Sequence, residues 1–212
     1  ERDKIVRFLF DIFSSNPNAV EYLRESKILD YLLQSKSKNS ICLLSRLSTD
    51  SFFIEKIKTN GALDWVFDFL KEDYTSSLNI NIATIICQQI YRHPEESEGF
   101  HMKDFAHRVF EEITPVYKAN TKNYEVLNDL FTFILPFIKE SPESVGPSNI
   151  ITCAAAALMV TNSAKLIFSS LDILYECAKQ GLIEQLTNSK IALTSAMKLL
   201  DKFPKNQNIL EK

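Results

Sequence analysis

The stretch Ser51–Leu70, SFFIEKIKTNGALDWVFDFL, constrains the fold more than any other in the chain. Phe53, Ile54 and Ile57 form a short apolar stripe at helical spacing, and Ala62, Leu63, Val66, Phe67 and Leu70 begin a second one. Between them lies Asn60-Gly61, and glycine is the default residue where a helix ends in a left-handed conformation. The pattern predicts two helices joined by a tight corner. Thirty-four residues earlier AVEYLRESKILDYLL repeats it: Val20 corresponds to Ile54, Leu23 to Ile57, Leu29 to Leu63, Asp30 to Asp64 and Leu32 to Val66. Self-similarity at a fixed period marks a helical repeat, whose units pack on their neighbours.

The rest of the chain reads as helices in the same order of lengths. Lys4–Phe13 is apolar around most of its circumference, which predicts burial on several sides. After the Asn16-Pro17 turn come a short helix at Ala19–Arg24, a second at Ile28–Leu33 and a third at Asn39–Leu47. The next set is Phe52–Lys58, Ala62–Lys71 and a long third helix, Leu78–Tyr91. The acidic loop 93–101 follows, then less regular helices at Lys103–Tyr117, which Pro115 bends or finishes, and Tyr124–Ile138, whose last turn Pro136 breaks. Ser141–Ser148, SPESVGPS, is the strongest break, and an insertion or unit junction is expected there. Asn149–Thr161, Ser163–Lys179 and Ser189–Lys202 complete the helices, with Gln180-Gly181-Leu182-Ile183-Glu184 repeating the glycine corner. Phe203–Glu211 echoes Phe13–Glu21 at a spacing of 190. The expected division is 1–92, 93–148 and 149–212 within one continuous solenoid. The chain starts inside a third helix and stops in a first helix, so it is expected to be a fragment of a longer array.

Composition narrows the alternatives. A hydrophobic share of 45% with 15 phenylalanines supplies a continuous core, and four glycines with seven prolines leave little material for hairpins. A net charge of −3 argues against a broad field for nucleic acid or anionic lipid. Cys42, Cys87, Cys153 and Cys177 are dispersed inside apolar runs with no CxxC pair, as expected of packed free thiols in a reducing compartment. The longest uninterrupted apolar stretch, Ile150–Val160, is 11 residues, short of the roughly 18 that a membrane span needs. A cytoplasmic location is expected, with the nucleus as the alternative.

At the glycine corner the sequence resembles an armadillo repeat: a short first helix, a glycine bend, a second helix and a longer third one. FIEKIKTNGALDWVFDFL fits that pattern, EYLRESKILDYLLQ fits it with Lys27 in the glycine's place, and YECAKQGLIEQL is a weaker third match. Residues 100–148 look closer to HEAT-type hairpins. The resemblance implies an all-α fold, a right-handed α-α superhelix of about four to five helical units. It also implies a partner groove lined by third helices. The nuclear-import adaptors of this kind hold basic peptides with Trp and Asn on those helices; here they read NSICLLSRLS and LNINIATIICQQIYRH, without tryptophan.

The polar residues placed toward such a groove are Ser45, Arg46, Asn81, Gln88, Gln89 and Arg92. Trp65 continues the stripe of Leu63, Val66 and Phe67, so core packing is expected for it; with Tyr74 and Tyr91 it is a candidate aromatic anchor if exposed. His93, His101 and His107 with Glu95, Glu96 and Glu98 lack the spacing of a zinc site. No GxGxxG, GxxxxGK[ST] or GxSxG occurs. The expectation is a non-enzymatic scaffold without cofactor or metal that binds a protein segment, a peptide or a helical partner. Self-association through the chain ends or the Phe-rich 105–138 hairpin is the alternative. A nucleic-acid-binding helical repeat ranks below both.

Overall fold

The computed structural model describes residues 2–95, 99–188, 194, 195, 197 and 198. Among them every regular element is helical and no strand occurs. The chain divides into two compact units, Glu1–Met102 and Lys103–Lys212. The break Ser141–Ser148 therefore lies inside the second unit.

In the first unit the repeated order of helices is present. Helix α1 (Arg2–Ser15) precedes a 3-10 helix (Pro17–Leu23), α2 (Ile28–Ser35) and α3 (Lys38–Leu47). The second set is α4 (Ser51–Thr59), α5 (Ala62–Glu72) and α6 (Ser77–Arg92). Each start has a local cause. The hydroxyls of Ser37 and Ser76 accept the N–H groups of Ser40 and Asn79, and the Asp50 carboxylate accepts that of Phe52 at 3.0 Å. Each meets one of the donors that the first turn of a helix leaves unpaired. Asp50 also accepts Arg24 at 2.6 Å, tying the first corner to the start of α4.

The two corners differ. Gly61 sits at φ +80°, the left-handed region where glycine alone is unstrained. Lys27, which takes the glycine's place in the first copy, has φ −86° and is not left-handed. There Ser26 shapes the turn, its hydroxyl donating to the Leu23 carbonyl at 2.6 Å and accepting the Ile28 N–H at 3.3 Å. The left-handed residue of the first set is instead Lys36, at φ 45°, closing α2 with its N–H on the Leu32 carbonyl.

Leu32, Ile41, Leu44, Leu47, Ile54, Ile57, Val66, Leu70, Ile86 and Ile90 are fully buried and make the core of this unit. Burial of each such side chain stabilises the fold by about 1.5–3 kcal/mol before conformational entropy is set against it. Helix α1 departs from expectation. Val6 and Phe13 are buried, but Ile5 is 58% and Phe8 63% exposed, so one side of the helix is covered and the other is open. Lys58 is the unit's buried cation. Its ammonium donates to the carbonyls of His93 and Glu95 at 2.7 and 2.9 Å and to Glu55 at 2.8 Å, with the Phe100 ring 5.0 Å away. The side chain of α4 thereby holds the segment that follows α6.

The second unit consists of α7 (Met102–Ala119), α8 (Tyr124–Ile134), α9 (Phe137–Glu140), a 3-10 turn (Pro142–Ser144), α10 (Val145–Ser148), α11 (Ile150–Val160), α12 (Ala164–Lys179) and α13 (Ile183–Asn188). Helix α12 packs on α8 and α11. Pro115 does not finish α7, which runs four residues further. The carbonyl left without its N–H donor belongs to Glu111, an exposed residue. Pro136 does divide the next helix, separating α8 from α9.

The Pro/Gly/Ser-rich segment is not a solvated junction. Ser141, Ser144, Val145 and Ser148 are all buried. Their hydroxyls satisfy one another and the local backbone: Ser141 and Ser144 meet at 2.6 Å, and Ser148 donates to the Val145 carbonyl at 2.8 Å. Buried backbone must be paired somewhere, and short hydroxyl side chains do this within a turn. Gly181 at φ +79° repeats the geometry of Gly61, although the helix before it is the long α12 rather than a short first helix. The predicted third helix Ser189–Lys202 and the echo at Phe203–Glu211 lie essentially outside the described residues.

Candidate functional site

The predicted groove residues belong to α3 and α6 in the first unit. Helices α1 and α3 run parallel: near their starts Ser37 and Asn39 donate to Asp3 at 2.8 and 2.6 Å, and further along Arg46 lies 5.5 Å over the Phe10 ring. Helix α3 in turn packs on α6. Helices α1, α3 and α6 thus follow one another, each presenting a strip to solvent. On α6 the exposed strip is Asn81, Ile85 and Arg92 with half-buried Gln88, spaced 4, 3 and 4 residues apart along one face. Ile85 is 41% exposed, an apolar residue in a polar strip that sequence reasoning passed over because it belongs to a run of isoleucines.

The other predicted groove residues divide. Arg46 is exposed and held by its stacking on Phe10, and Gln89 is half-buried. Ser45 is buried at 8% exposure, its hydroxyl turned back onto the Cys42 carbonyl at 2.8 Å, so it does not face a groove. Trp65, at 5% exposure, is a core residue of α5 and not an anchor; Tyr74 and Tyr91 are half-buried. The serine caps give a second register that the sequence comparison missed. Ser37 with Ser40 and Ser76 with Asn79 match at a spacing of 39, because α5 is longer than α2 and the loop before α6 is longer than that before α3. In that register Arg46 of α3 corresponds to Ile85 of α6.

Two of the cavities in the second unit differ in character. One, of about 250 Å³, is lined by His107, Phe110, Glu111, Thr114, Ser144, Pro147 and Ser148. The Ser144 hydroxyl meets His107 Nδ1 at 2.6 Å, and His107 Nε2 lies 3.5 Å from Glu111. The residue types are those of a Ser–His–acid chain, but the burial runs the opposite way. The serine is buried and shared with Ser141, while the histidine and glutamate side chains are 54% and 66% exposed. A hydrolytic triad buries the acid to orient the imidazole and exposes the nucleophile. Here the histidine closes a hydrogen-bond chain over a turn.

The other cavity, of about 300 Å³, lies among α7, α8 and α11 and is almost wholly apolar, lined by Tyr117, Thr121, Leu127, Thr152, Cys153, Ala156, Ala157 and Val160. Tyr117 is fully buried with its ring against Phe131, and its hydroxyl has no hydrogen-bond partner among the described residues. Such a group costs about 1–3 kcal/mol relative to one that is paired. Burial first, and the neighbouring Cys153 second, push its ionisation well above the usual phenol range, so it stays a donor. Burial likewise raises the thiols of Cys42 and Cys153, and with help from Glu176 pushes that of Cys177 up to about 12. None of these is an activated nucleophile. The cavity left no mark in the sequence because three separate helices build it.

Among the described residues no group of three or more His, Cys, Asp and Glu is placed to hold a metal. Of the acidic loop, Glu96 and Glu98 lie outside those residues; His93 and Glu95 serve Lys58 through their carbonyls. No family model, no curated protein and no solved structure matches this chain. Its reading rests on its own geometry. No helix among the described residues is long and apolar enough to cross a membrane.

Proposed function

We propose that the chain is a non-enzymatic protein-interaction module of the armadillo/HEAT-like kind, a right-handed solenoid that works as a cytoplasmic scaffold. A partner segment lies across the exposed strips of α1, α3 and α6. The observation that carries this reading is the strip Asn81, Ile85, Gln88 and Arg92 on α6, one helix on from Arg46 stacked over Phe10. Amide side chains at helical spacing grip a main chain from both its donors and its acceptors. The two guanidinium groups suit acidic side chains in bidentate geometry, and Ile85 offers an apolar contact between them. The test is quantitative affinity capture with the native chain and with Arg46→Glu/Arg92→Glu. Exposed charge reversal leaves the fold intact, and the partner should be lost by about tenfold or more in affinity, as for residues of an interface hot spot. Equal capture by both proteins would remove the reading.

Self-association is a second reading, favoured by one observation: Ile5 and Phe8 stand exposed on α1. The Phe-rich hairpin no longer supports it, since Phe105, Phe110, Phe131, Phe133 and Phe137 are all buried within the second unit. Light scattering over a dilution series should show mass falling to the monomer, and Phe8→Asp should give the monomer throughout. A constant monomer mass for the native chain would exclude it.

A further inference from the structure

We propose, resting on the self-association reading, that α1 is a self-complementary surface. It pairs antiparallel with α1 of a second copy of this chain, about a two-fold axis that passes between Phe8 and Leu9.

Helix α1 carries two apolar faces. Val6 and Phe13 are buried, and Asp3 accepts Ser37 and Asn39 at the start of α3. Ile5, Phe8, Leu9 and Ile12 form a second stripe at i, i+3, i+4 and i+7. Ile5 is 58% and Phe8 63% exposed, while Leu9 and Ile12 are half-buried. A stripe of that spacing is what one helix presents to another, and α3 already occupies the other face.

Two features point to a copy of the same helix as the occupant. The stripe reads alike in both directions. An antiparallel copy centred between Phe8 and Leu9 sets Ile5 against the partner's Ile12 and Phe8 against the partner's Leu9. The charges beside the stripe also complement their own reverse. Lys4 and Asp11, seven residues apart, lie on the same side of it, and neither makes an ion pair among the described residues. A two-fold axis places that side of one helix beside the same side of the other. Lys4 then stands about 3 Å along the axis from the partner's Asp11, two residues of helical rise, and symmetry makes the pair twice. The opposed helix dipoles attract as well. A parallel pair would align those dipoles, set Phe8 against the partner's Phe8 and leave Lys4 facing the partner's Leu9. One helix pair falls short of the roughly 1,200 Å² of a standard interface, so the dimer forms at high protein concentration and exchanges.

The test is sedimentation equilibrium of the full chain over a dilution series. Lys4→Asp and Asp11→Lys, both at exposed positions, should each weaken the dimer about tenfold, because the two-fold axis counts each reversal twice. The double variant Lys4→Asp/Asp11→Lys should restore it, since the pairs re-form with their signs exchanged. Cross-linking reads the register. Under mild oxidation an equimolar mixture of Ile5→Cys and Ile12→Cys should give a disulfide between the two substituted positions, located by mass spectrometry. Ile5→Cys alone should give none there, because in this register its two copies lie about 10 Å apart along the axis. A monomer at every concentration would overturn the self-association reading and this pairing with it. A dimer that Phe8→Asp dissociates but that ignores the single reversals, is not restored by the double variant, or is linked through Ile5→Cys alone would leave that reading standing and overturn the antiparallel pairing. A dimer that survives Phe8→Asp would lie on another face and overturn the pairing too.

Discussion

The corner at Gly61 and the connection at Ser141–Asn149 do the same job in the two units, turning the chain between helices, by opposite means. At the corner one left-handed glycine reverses direction at the surface, with open space around it apart from an Asp64 oxygen 3.8 Å from where a Cβ would stand. At the connection the turn is anchored from within. Ser141, Ser144, Val145 and Ser148 are buried and the serines are paired locally, while Glu143, Gly146, Pro147 and the left-handed Asn149 stay exposed. A surface corner is local, so its residues repeat wherever the turn repeats. A buried connection has to satisfy its surroundings, so its residues are peculiar to the site. The first unit accordingly shows a repeat in its sequence, and the second shows one clearly only at Gly181.

The same contrast extends to ionisable groups, and alkaline titration is the largest way to break it. Cys177 and Tyr117, both in the second unit, have folded ionisation raised above that of the unfolded chain. Each therefore contributes stability that is intact below its unfolded value and is lost as pH rises beyond it, for Cys177 between about 9 and about 12. In the first unit burial raises the Cys42 thiol as well. The expectation is that helical circular dichroism falls before the emission maximum of Trp65, the sole tryptophan and a core residue of the first unit, moves to the red. Simultaneous changes would remove the contrast.

Lys58→Met sharpens the comparison next. The native ammonium is held by two carbonyls and one carboxylate, and methionine leaves those carbonyls without their donor. A loss of about 1–3 kcal/mol is expected in urea denaturation, greater than for any serine of the exposed loops. A neutral result would mean that the segment after α6 needs no latch.

Backbone substitutions give the smallest effects and the most direct comparison. Gly61→Ala and Gly181→Ala should each cost about 1 kcal/mol, because both sit at positive φ. Gly146→Ala should be neutral or stabilise by up to about 1 kcal/mol, since that glycine is helical, has ordinary φ and has open space around it. Lys36→Gly should stabilise, relieving a left-handed lysine. If Gly146→Ala destabilised as Gly61→Ala does, the buried connection would depend on glycine after all.

The helices of the first unit were legible almost to the residue, for a stated reason. Stripes such as Phe53, Ile54 and Ile57 and breaks such as Asn60-Gly61 act within one turn of chain. Placement of the candidate site was only partly legible. The spacing of Asn81, Gln88 and Arg92 put them on one face of α6, but nothing local distinguishes Arg46, exposed over Phe10, from Ser45, buried one position before it. The turn at Lys27 and the burial of Ser141, Ser144, Val145 and Ser148 left no local sign, because residue type sets what a turn can do, while its neighbours decide what it does.

The sequence by itself determined that this chain is helical and that its first part is built as two similar sets of three helices. Period and the glycine corner suffice for that, because both are properties of contiguous residues. The tertiary structure alone decided that α1 leaves Ile5 and Phe8 open, and that Ser141, Ser144, Val145 and Ser148 of a turn rich in proline, glycine and serine are interior. It also decided that the Tyr117 hydroxyl is buried with no hydrogen-bond partner among the described residues. Each of these depends on which distant helix covers a side chain, and burial is a relation between segments that no single segment encodes.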